Sequence, residues 1–198
     1  AQGGLFIADE VQPGFGRTGQ GMWGFSRHGV RPDVVTMGKP MGNGFPMSGL
    51  AAREELLAVL NADVGYFNTF GGSPVAVAAG TAVLDVIAEE DLMANATRQG
   101  EYFKRQLQDI QARFEEVSDV RGAGLFLGLD LCDPTRDGAP DAQRTTALIN
   151  DLKRNGVLIG GAGKSGSTLK IRPPLCIERS EADLFLDRFE QSLRTTSR

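Results

Sequence analysis

The sequence predicts an α/β protein, because short apolar runs alternate with helical patterns along the chain. Residues 5–8 and 34–37 are short, apolar and partly β-branched, as buried parallel strands are. The first run ends in Asp9 and the second is followed by Lys39, with a glycine-rich loop between the two runs. We therefore expect an acid and an amine at corresponding ends of neighbouring strands.

Three further elements are predicted in the first half of the chain. Residues 48–52 form a third strand, and residues 53–60 form a short helix. A second helix spans residues 75–88, where Ser73 has the residue type of an N-cap and Pro74 that of a first helical position. Its many alanines permit close approach to another element.

The second half of the chain predicts a small α/β domain. Its elements are a long amphipathic helix at 91–114, an alternating strand at 125–131, a surface loop at 133–141, a helix at 142–154, short strands at 157–159 and 169–171, and a final helix at 180–193. Ser180 and Asp183 have the spacing that opens the last helix. We place the boundary in the long helix, which gives domains at residues 1–100 and 101–198.

Composition excludes several classes of function. A hydrophobic fraction of 41% and a charged fraction of 23% are ordinary for a globular protein. The net charge of −4 gives no reason to expect nucleic acid or an anionic membrane as a partner. The single histidine, His28, argues against a multi-histidine metal site, and we predict no bound metal. Cys132 and Cys176 are read as buried free thiols in a reducing compartment, which predicts a cytoplasmic location.

Two nucleotide-binding motifs are incomplete. The run that ends in Asp9 resembles a Walker B strand, but the matching phosphate loop fails because Leu158 occupies its first glycine position before Gly163-Lys164-Ser165. Residues 14–19 fit G-x-G-x-x-G, yet glycines and a polar loop follow where a dinucleotide site requires a helix. Neither motif supports nucleotide binding.

Asp9 and Lys39 together suit pyridoxal phosphate chemistry. A lysine forms a Schiff base with the cofactor aldehyde, and a carboxylate keeps the pyridine nitrogen protonated so that the ring accepts electrons. Lys39 alone could be a solvated surface lysine, and Asp9 alone could be a strand-end cap. Their order and the glycines around Lys39 favour the functional interpretation.

Several spaced motifs resemble the class III aminotransferases, which are pyridoxal-phosphate enzymes of fold type I. They are IADEVQ at 7–12, GFGRTG at 14–19, PD at 32–33, GK at 38–39 with GNG at 42–44, and TFGGSP at 69–74. The resemblance implies part of the sheet of a large cofactor-binding domain and a C-terminal small α/β domain. It also implies a phosphate-binding turn and a ring-stacking aromatic that this sequence lacks, so we expect an N-terminally truncated fragment.

The same resemblance assigns roles to individual residues. Asp9 would be the partner of the pyridine nitrogen and Lys39 the Schiff base lysine. Val11 would pack on the ring, and Gln12 would bond to the phenolic oxygen. Thr69 would bind the cofactor phosphate of a neighbouring subunit, which implies a homodimer with shared active sites. The alternative for Thr69 is a plain loop-to-helix turn.

Lys170 and Arg172 are the candidate substrate-binding residues. Lys170 stands where the family usually has an arginine that grips the substrate carboxylate, and Arg172 shares its face of an extended strand. We predict transamination between an amino donor and a keto acid. The alternatives are a phospholyase acting on a phosphorylated amino alcohol and a catalytically incompetent fragment. Two basic residues on a solvated strand edge would be the non-functional interpretation.

Overall fold

A computed structural model describes residues 3–196 of the chain. The chain divides into two compact units, Ala1–Met93 and Ala94–Arg198, and each is described by itself. The outer limits predicted for the two domains, residues 1 and 198, lie outside the described residues. The large-domain and small-domain identities of the two halves remain a proposal.

A three-stranded sheet forms the centre of the first unit. Its strands are β1 (Ile7–Asp9), β2 (Val34–Met37) and β3 (Gly49–Ala52), in the order β1-β2-β3. β1 and β2 are parallel, as predicted, with Asp9 opposite Thr36, and β3 runs antiparallel to β2.

The first strand differs from the prediction in its burial. Ala8 is buried, but Leu5, Phe6 and Ile7 are 54%, 45% and 57% exposed. The predicted buried strand is therefore wrong in this respect, because the other described elements leave these side chains uncovered.

Two helices and two short 3-10 turns complete the first unit. The helices are α1 (Glu54–Asp63) and α2 (Pro74–Glu89), and the 3-10 turns are Gly24–His28 and Lys39–Gly42. α2 packs on the turn Lys39–Gly42. Ser73 occupies the predicted N-cap position, but its side chain makes no capping hydrogen bond.

The second unit is an antiparallel sheet with three long helices. Its elements are α3 (Leu92–Gln111, which begins at the end of the first unit), β4 (Val117–Ala123), β5 (Phe126–Asp133), β6 (Ala139–Pro140), α4 (Ala142–Arg154), β7 (Gly160–Ala162), β8 (Thr168–Ile171) and α5 (Arg179–Thr196). The strand order is β4-β5-β8-β7, and β6 pairs with β5.

Three sequence predictions for this unit are wrong in detail. β4 was missed, because its glycine and charged residues do not read as a strand. The strand predicted at 157–159 lies instead at β7, where pairing with β8 stabilises a glycine-rich segment. The cap before the last helix uses Glu181, whose carboxylate accepts from the Glu178 N–H at 2.9 Å, and not the predicted pair.

Leucine and phenylalanine side chains fill the core of the second unit. Phe103 from α3, Leu129 from β5, Leu169 from β8 and Phe189 from α5 are at most 1% exposed. Each fully buried side chain of this size stabilises the fold by roughly 1.5–3 kcal/mol. These long apolar contacts join the helices to one face of the sheet.

The two cysteines differ in environment. Cys132 is buried, as predicted, but Cys176 is exposed, so the prediction of two buried thiols is half wrong.

Within residues 3–196, no helix has both the length and the apolar character needed to cross a bilayer.

Candidate active site

The parallel pairing of β1 and β2 brings Asp9 and Lys39 to one edge of the first sheet. Asp9 is the last residue of β1 and lies opposite Thr36. β2 ends at Met37, and Gly38 leads directly into Lys39. A carboxylate and an amine thus follow the carboxyl ends of adjacent parallel strands, which is where ligands bind in open α/β sheets.

Lys39 has an unusual backbone conformation. Gly38 is extended, and Lys39 then has a φ of 36° and opens the turn Lys39–Gly42. The Met41 N–H donates to the Gly38 carbonyl at 3.0 Å, which stabilises this turn. A non-glycine residue in this region costs roughly 1–3 kcal/mol, and such residues cluster at functional sites.

Asp9 and Val11 are coupled by the turn that follows β1. The Val11 N–H donates to Asp9 Oδ1 at 3.1 Å and orients the exposed carboxylate. A β-carbon placed on Gly38 would lie 3.8 Å from both Val11 methyl carbons and 3.9 Å from Ser48 Cβ. The Val11 side chain therefore borders the backbone just before Lys39. Gln12 follows and is half-buried.

Glu10 is a buried acid for which the sequence predicted no separate role. It is 2% exposed, and its carboxylate accepts hydrogen bonds from the Gly24 N–H at 2.7 Å and the Phe25 N–H at 2.8 Å. The alternation of side chains along a strand could have indicated that Glu10 is buried. Adjacent residues point to opposite faces of a sheet, so only one of the two acids can lie on the exposed face.

The G-x-G-x-x-G segment is a folded loop. Phe15 is buried and meets Trp23 edge to face, with ring centroids 5.4 Å apart. The Gly16 N–H donates to the Met22 carbonyl at 3.1 Å. The next helical element is the short turn Gly24–His28, which agrees with the rejection of a dinucleotide site.

Thr69 lies in the exposed segment between α1 and α2. Asn68 organises this segment, because its Oδ1 accepts from the Phe70 and Gly71 N–H groups, both at 3.1 Å. This Asx turn fixes the backbone around Thr69. The hydrogen bonds of Asn68 were not foreseen from the sequence.

In the second unit, Lys170 and Arg172 line one pocket of about 470 Å³ together with Phe103, Phe185 and Pro173. Ile171 lines the same pocket, and Arg172 follows the end of β8, so the expected sharing of one strand face by Lys170 and Arg172 stays a prediction.

Lys170 lies between two glycines of the sheet. Its cross-strand partners are Gly128 on β5 and Gly160 on β7. A β-carbon on Gly160 would lie 3.7 Å from Lys170 Cε, so the lysine stem runs over this glycine. At Gly128 the neighbouring space is occupied, because a β-carbon there would lie 3.6 Å from Thr168 Cγ2 and 3.9 Å from the Arg121 side chain.

A second cation of the sheet, Arg121, is neutralised by its neighbours. Its guanidinium donates to Asp119 and, through both terminal nitrogens, to Asp130 at 2.6 and 3.0 Å. Burial tends to raise the pKa of Asp130, but hydrogen bonds from Arg121 and Thr168 outweigh burial and hold that pKa below its usual value. The hydrogen bond to Asp130 raises the pKa of Arg121 further. Arg121 does not line the pocket, whose cationic lining residues are Lys170 and Arg172.

Comparison with known proteins now decides the family. A family model described as aminotransferase class-III matches residues 1–193. The chain belongs to the class III aminotransferases. The alanine–glyoxylate aminotransferase 2 homolog 2 of Arabidopsis thaliana, named as mitochondrial, is 44% identical over 96% of this chain. The ethanolamine-phosphate phospho-lyase homolog 1 of Caenorhabditis elegans is 45% identical over 90% of it.

A solved structure of a related enzyme matches the fold of this chain over nearly its whole length. A phospholyase from Arthrobacter, in complex with phosphoethanolamine, matches 98% of this chain with a TM-score of 0.94 and 47% identity. This class III aminotransferase chain spans 40% and 39% of the two relatives and 46% of the phospholyase chain. The predicted α/β fold and family are confirmed.

The strand-end residues fit the cofactor of the family. Class III aminotransferases are pyridoxal-phosphate enzymes. In this class III chain, a carboxylate (Asp9), an amine (Lys39) and an apolar side chain (Val11) follow the ends of β1 and β2. The missing side chain of Gly38 leaves a gap between Val11 and Ser48 beside them. This set of groups suits a flat, charged pyridine ring.

Proposed function

We propose that the protein carrying this chain is a pyridoxal 5′-phosphate-dependent aminotransferase that moves an amino group from an amino donor to a keto acid. The observation that supports it is the arrangement of Asp9 and Lys39 after adjacent parallel strands. Bound pyridoxal phosphate supplies an electron-accepting ring that stabilises negative charge on the substrate carbon.

The residues of this chain would then divide the work. Lys39 would hold the cofactor and, once displaced by the substrate, its amine would remove the proton from the substrate Cα. Asp9, oriented by the Val11 N–H, would keep the pyridine nitrogen protonated. Val11 would pack on the ring face, and Gln12 would donate to the phenolic oxygen.

Borohydride reduction of the full-length protein with bound cofactor tests the assignment of Lys39. The reduced cofactor should stay on the peptide that contains Lys39 and should be lost in a Lys39→Ala variant. Lys104→Ala is the matched control and should keep the label, because Lys104 extends from α3 toward the Gly122 carbonyl, 3.4 Å away. Label on any other lysine would contradict the assignment.

A second candidate function is elimination of phosphate from a phosphorylated amino alcohol. The Arthrobacter phospholyase, 47% identical, favours this alternative, as does Lys170 between two glycines in a pocket that also has Arg172. An ammonium group is a compact charge that suits phosphate, whereas the guanidinium fork matches a planar carboxylate. We keep transamination as the main proposal, because the matching family model is that of the class III aminotransferases, and Arg172 in the same pocket could assist Lys170 in holding a carboxylate.

One assay separates the two reactions. The full-length protein is given phosphoethanolamine and, separately, amino donors with pyruvate or 2-oxoglutarate. Keto-acid-dependent amine transfer without phosphate release is the result we expect. Phosphate release that needs no keto acid would contradict it.

A Lys170→Arg variant should gain roughly tenfold in affinity for amino-acid donors, since a bidentate pair adds about 1.4 kcal/mol. An Arg172→Lys variant, in which the arginine of the same pocket is replaced by lysine, is the reciprocal control.

We also propose a homodimer with shared active sites, in which Thr69 binds the cofactor phosphate of the other subunit. The proposal is supported by the exposed apolar side chains of α2, where Val75, Val77 and Leu84 are 64%, 51% and 47% exposed. Sedimentation of the full-length protein tests it, and a monomer that turns over substrate would contradict it.

The proposed compartment is the cytoplasm. The name of the Arabidopsis relative places that protein in mitochondria, so mitochondria are the alternative. Cell fractionation with antibodies against the full-length protein distinguishes the two.

A further inference from the structure

Glu10 follows Asp9 directly but has no part in the proposed reaction. Its side chain is 2% exposed, and both carboxylate oxygens accept backbone hydrogen bonds, Oε2 from Gly24 and Oε1 from Phe25. A carboxylate is tolerated in such a buried place only where donors replace the lost water. These two bonds fix the Glu10 side chain and the backbone at residues 24 and 25 relative to each other.

The backbone of Glu10 makes two more connections. Its N–H donates to the Thr36 carbonyl at 2.9 Å, which extends the pairing of β1 with β2. Its carbonyl accepts from the Gly14 N–H at 3.2 Å, which closes the turn after β1. One residue therefore joins the neighbouring strand, the start of the glycine-rich loop and the end of that loop.

The loop between these ends is packed against itself. A β-carbon on Gly24 would come within 2.6 Å of Pro13 Cβ, so the two ends of the loop touch. Phe15 and Trp23 are in ring contact within it. Val11 and Gln12, the proposed cofactor contacts, lie in the first residues of this closed loop.

We propose that Glu10 is a positioning residue for the cofactor site. By closing the loop of residues 11–25 onto the end of β1, its carboxylate holds Asp9, Val11 and Gln12 in the arrangement that receives the pyridine ring. Glu10 does not touch the cofactor in this proposal, which rests on the proposed function.

Glu10→Gln in the full-length protein is the test. Glutamine has nearly the same shape, but its amide nitrogen would face a backbone N–H donor, so one of the two bonds becomes repulsive. Glu10→Asp keeps the charge on a shorter side chain and should recover part of the effect. Glu89→Gln is the matched control, because Glu89 is exposed at the end of α2.

Two measurements are made. Hydrogen exchange without cofactor should become about tenfold faster in peptides from residues 11–25 of Glu10→Gln, while α2 peptides stay unchanged. Titration with pyridoxal phosphate, followed by its absorption spectrum, should give a Kd raised at least about fivefold in Glu10→Gln, because affinity depends on a pre-organised site. Glu10→Asp should fall between Glu10→Gln and wild type in both.

Three results would overturn the proposal. The first is unchanged exchange in residues 11–25. The second is faster exchange there with cofactor affinity equal to that of wild type, which would make Glu10 purely structural. The third is loss of protection in α2 as well, in both Glu10 variants. Failure of the wild-type protein to bind pyridoxal phosphate would overturn the proposed function and the cofactor half of this proposal, while the exchange measurement would still decide whether Glu10 closes the loop.

Discussion

At the scale of single residues, Asp9 and Glu10 show how one strand gives adjacent acids different environments. Asp9 is exposed at the sheet edge, and Glu10 is buried under the loop. The side-chain alternation of β1 continues one residue past its end, because the Glu10 N–H still pairs with the Thr36 carbonyl, and consecutive extended residues point to opposite faces. The exposed acid can meet a ligand, whereas the buried acid is occupied by backbone donors.

Asp9→Asn should lower kcat of the full-length enzyme by roughly 100-fold or more, because a neutral amide cannot stabilise a protonated pyridine nitrogen. The amide oxygen can still accept from the Val11 N–H, so the thermal unfolding midpoint should change little. Steady-state kinetics and thermal unfolding measure both effects. Asp63→Asn, at the exposed end of α1, is the control. An unchanged rate in Asp9→Asn would contradict the proposed role.

The position of Asp9 and Lys39 could be predicted because it follows from two apolar runs and the direction of the chain. The burial of Glu10 follows from strand alternation, but its hydrogen-bond donors could not be predicted, since the N–H groups of Gly24 and Phe25 lie 14 and 15 residues further along the chain. No residue pattern predicts the left-handed backbone conformation of Lys39 either. Such features depend on how the loops close, which leaves little periodic signal.

At the scale of elements, backbone contact at a glycine determines how α3 packs within the second unit. A β-carbon on Gly100 would lie 2.2 Å from the Gly124 carbonyl oxygen, in the turn between β4 and β5. Helix and turn therefore meet without an intervening side chain. The charged face of α3 gave no indication of this contact.

Gly100→Ala should destabilise the protein by at least about 2 kcal/mol, because the added methyl overlaps backbone atoms that cannot move aside. In an unconstrained helix the same change is stabilising by about 1 kcal/mol. Gly80→Ala in α2 is the matched control: its β-carbon would meet the end of the flexible Met47 side chain at 3.1 Å, and the Met41 carbonyl oxygen only at an ordinary contact distance of 3.7 Å. Denaturant unfolding of both variants measures the difference, and equal stabilities would contradict the packing described here.

Among the elements, those with a strong hydrophobic periodicity are the ones whose bounds the sequence predicts best. α4 has the predicted bounds of residues 142–154, and β2 has those of 34–37. β4 and β7 were missed or displaced because glycine and charged residues interrupt their apolar pattern. In both strands, hydrogen bonding to a neighbour determines the conformation, and a single stretch of sequence does not reveal that neighbour.

At the scale of the whole molecule, the two units differ in how completely they bury their apolar side chains. The second unit has a continuous core that includes Leu107, Leu129, Leu148 and Leu193, all at 0% exposure. The first unit leaves many large apolar side chains exposed, among them Leu50 at 57% on β3. Exposed apolar surface of this extent is what we expect of a region covered by other protein, as in the proposed homodimer.

The 198-residue chain alone should therefore bind pyridoxal phosphate weakly and show no transamination. The chain spans 40% of its Arabidopsis relative, and we expect the phosphate-binding turn and the ring-stacking aromatic that the family resemblance implies to lie outside this chain. Adding the cofactor to the purified chain should give no visible band of lysine-bound cofactor, whereas the full-length protein should give one. Robust turnover by the short chain would contradict this expectation.

The unequal cores also have a consequence for heat denaturation. A unit whose apolar surface is covered by association is stabilised by mass action, so its unfolding temperature rises with protein concentration. The unfolding temperature of a unit that buries its own leucines does not depend on protein concentration. For the proposed homodimer we therefore expect the melting temperature of Ala1–Met93 to shift with protein concentration and that of Ala94–Arg198 to stay fixed.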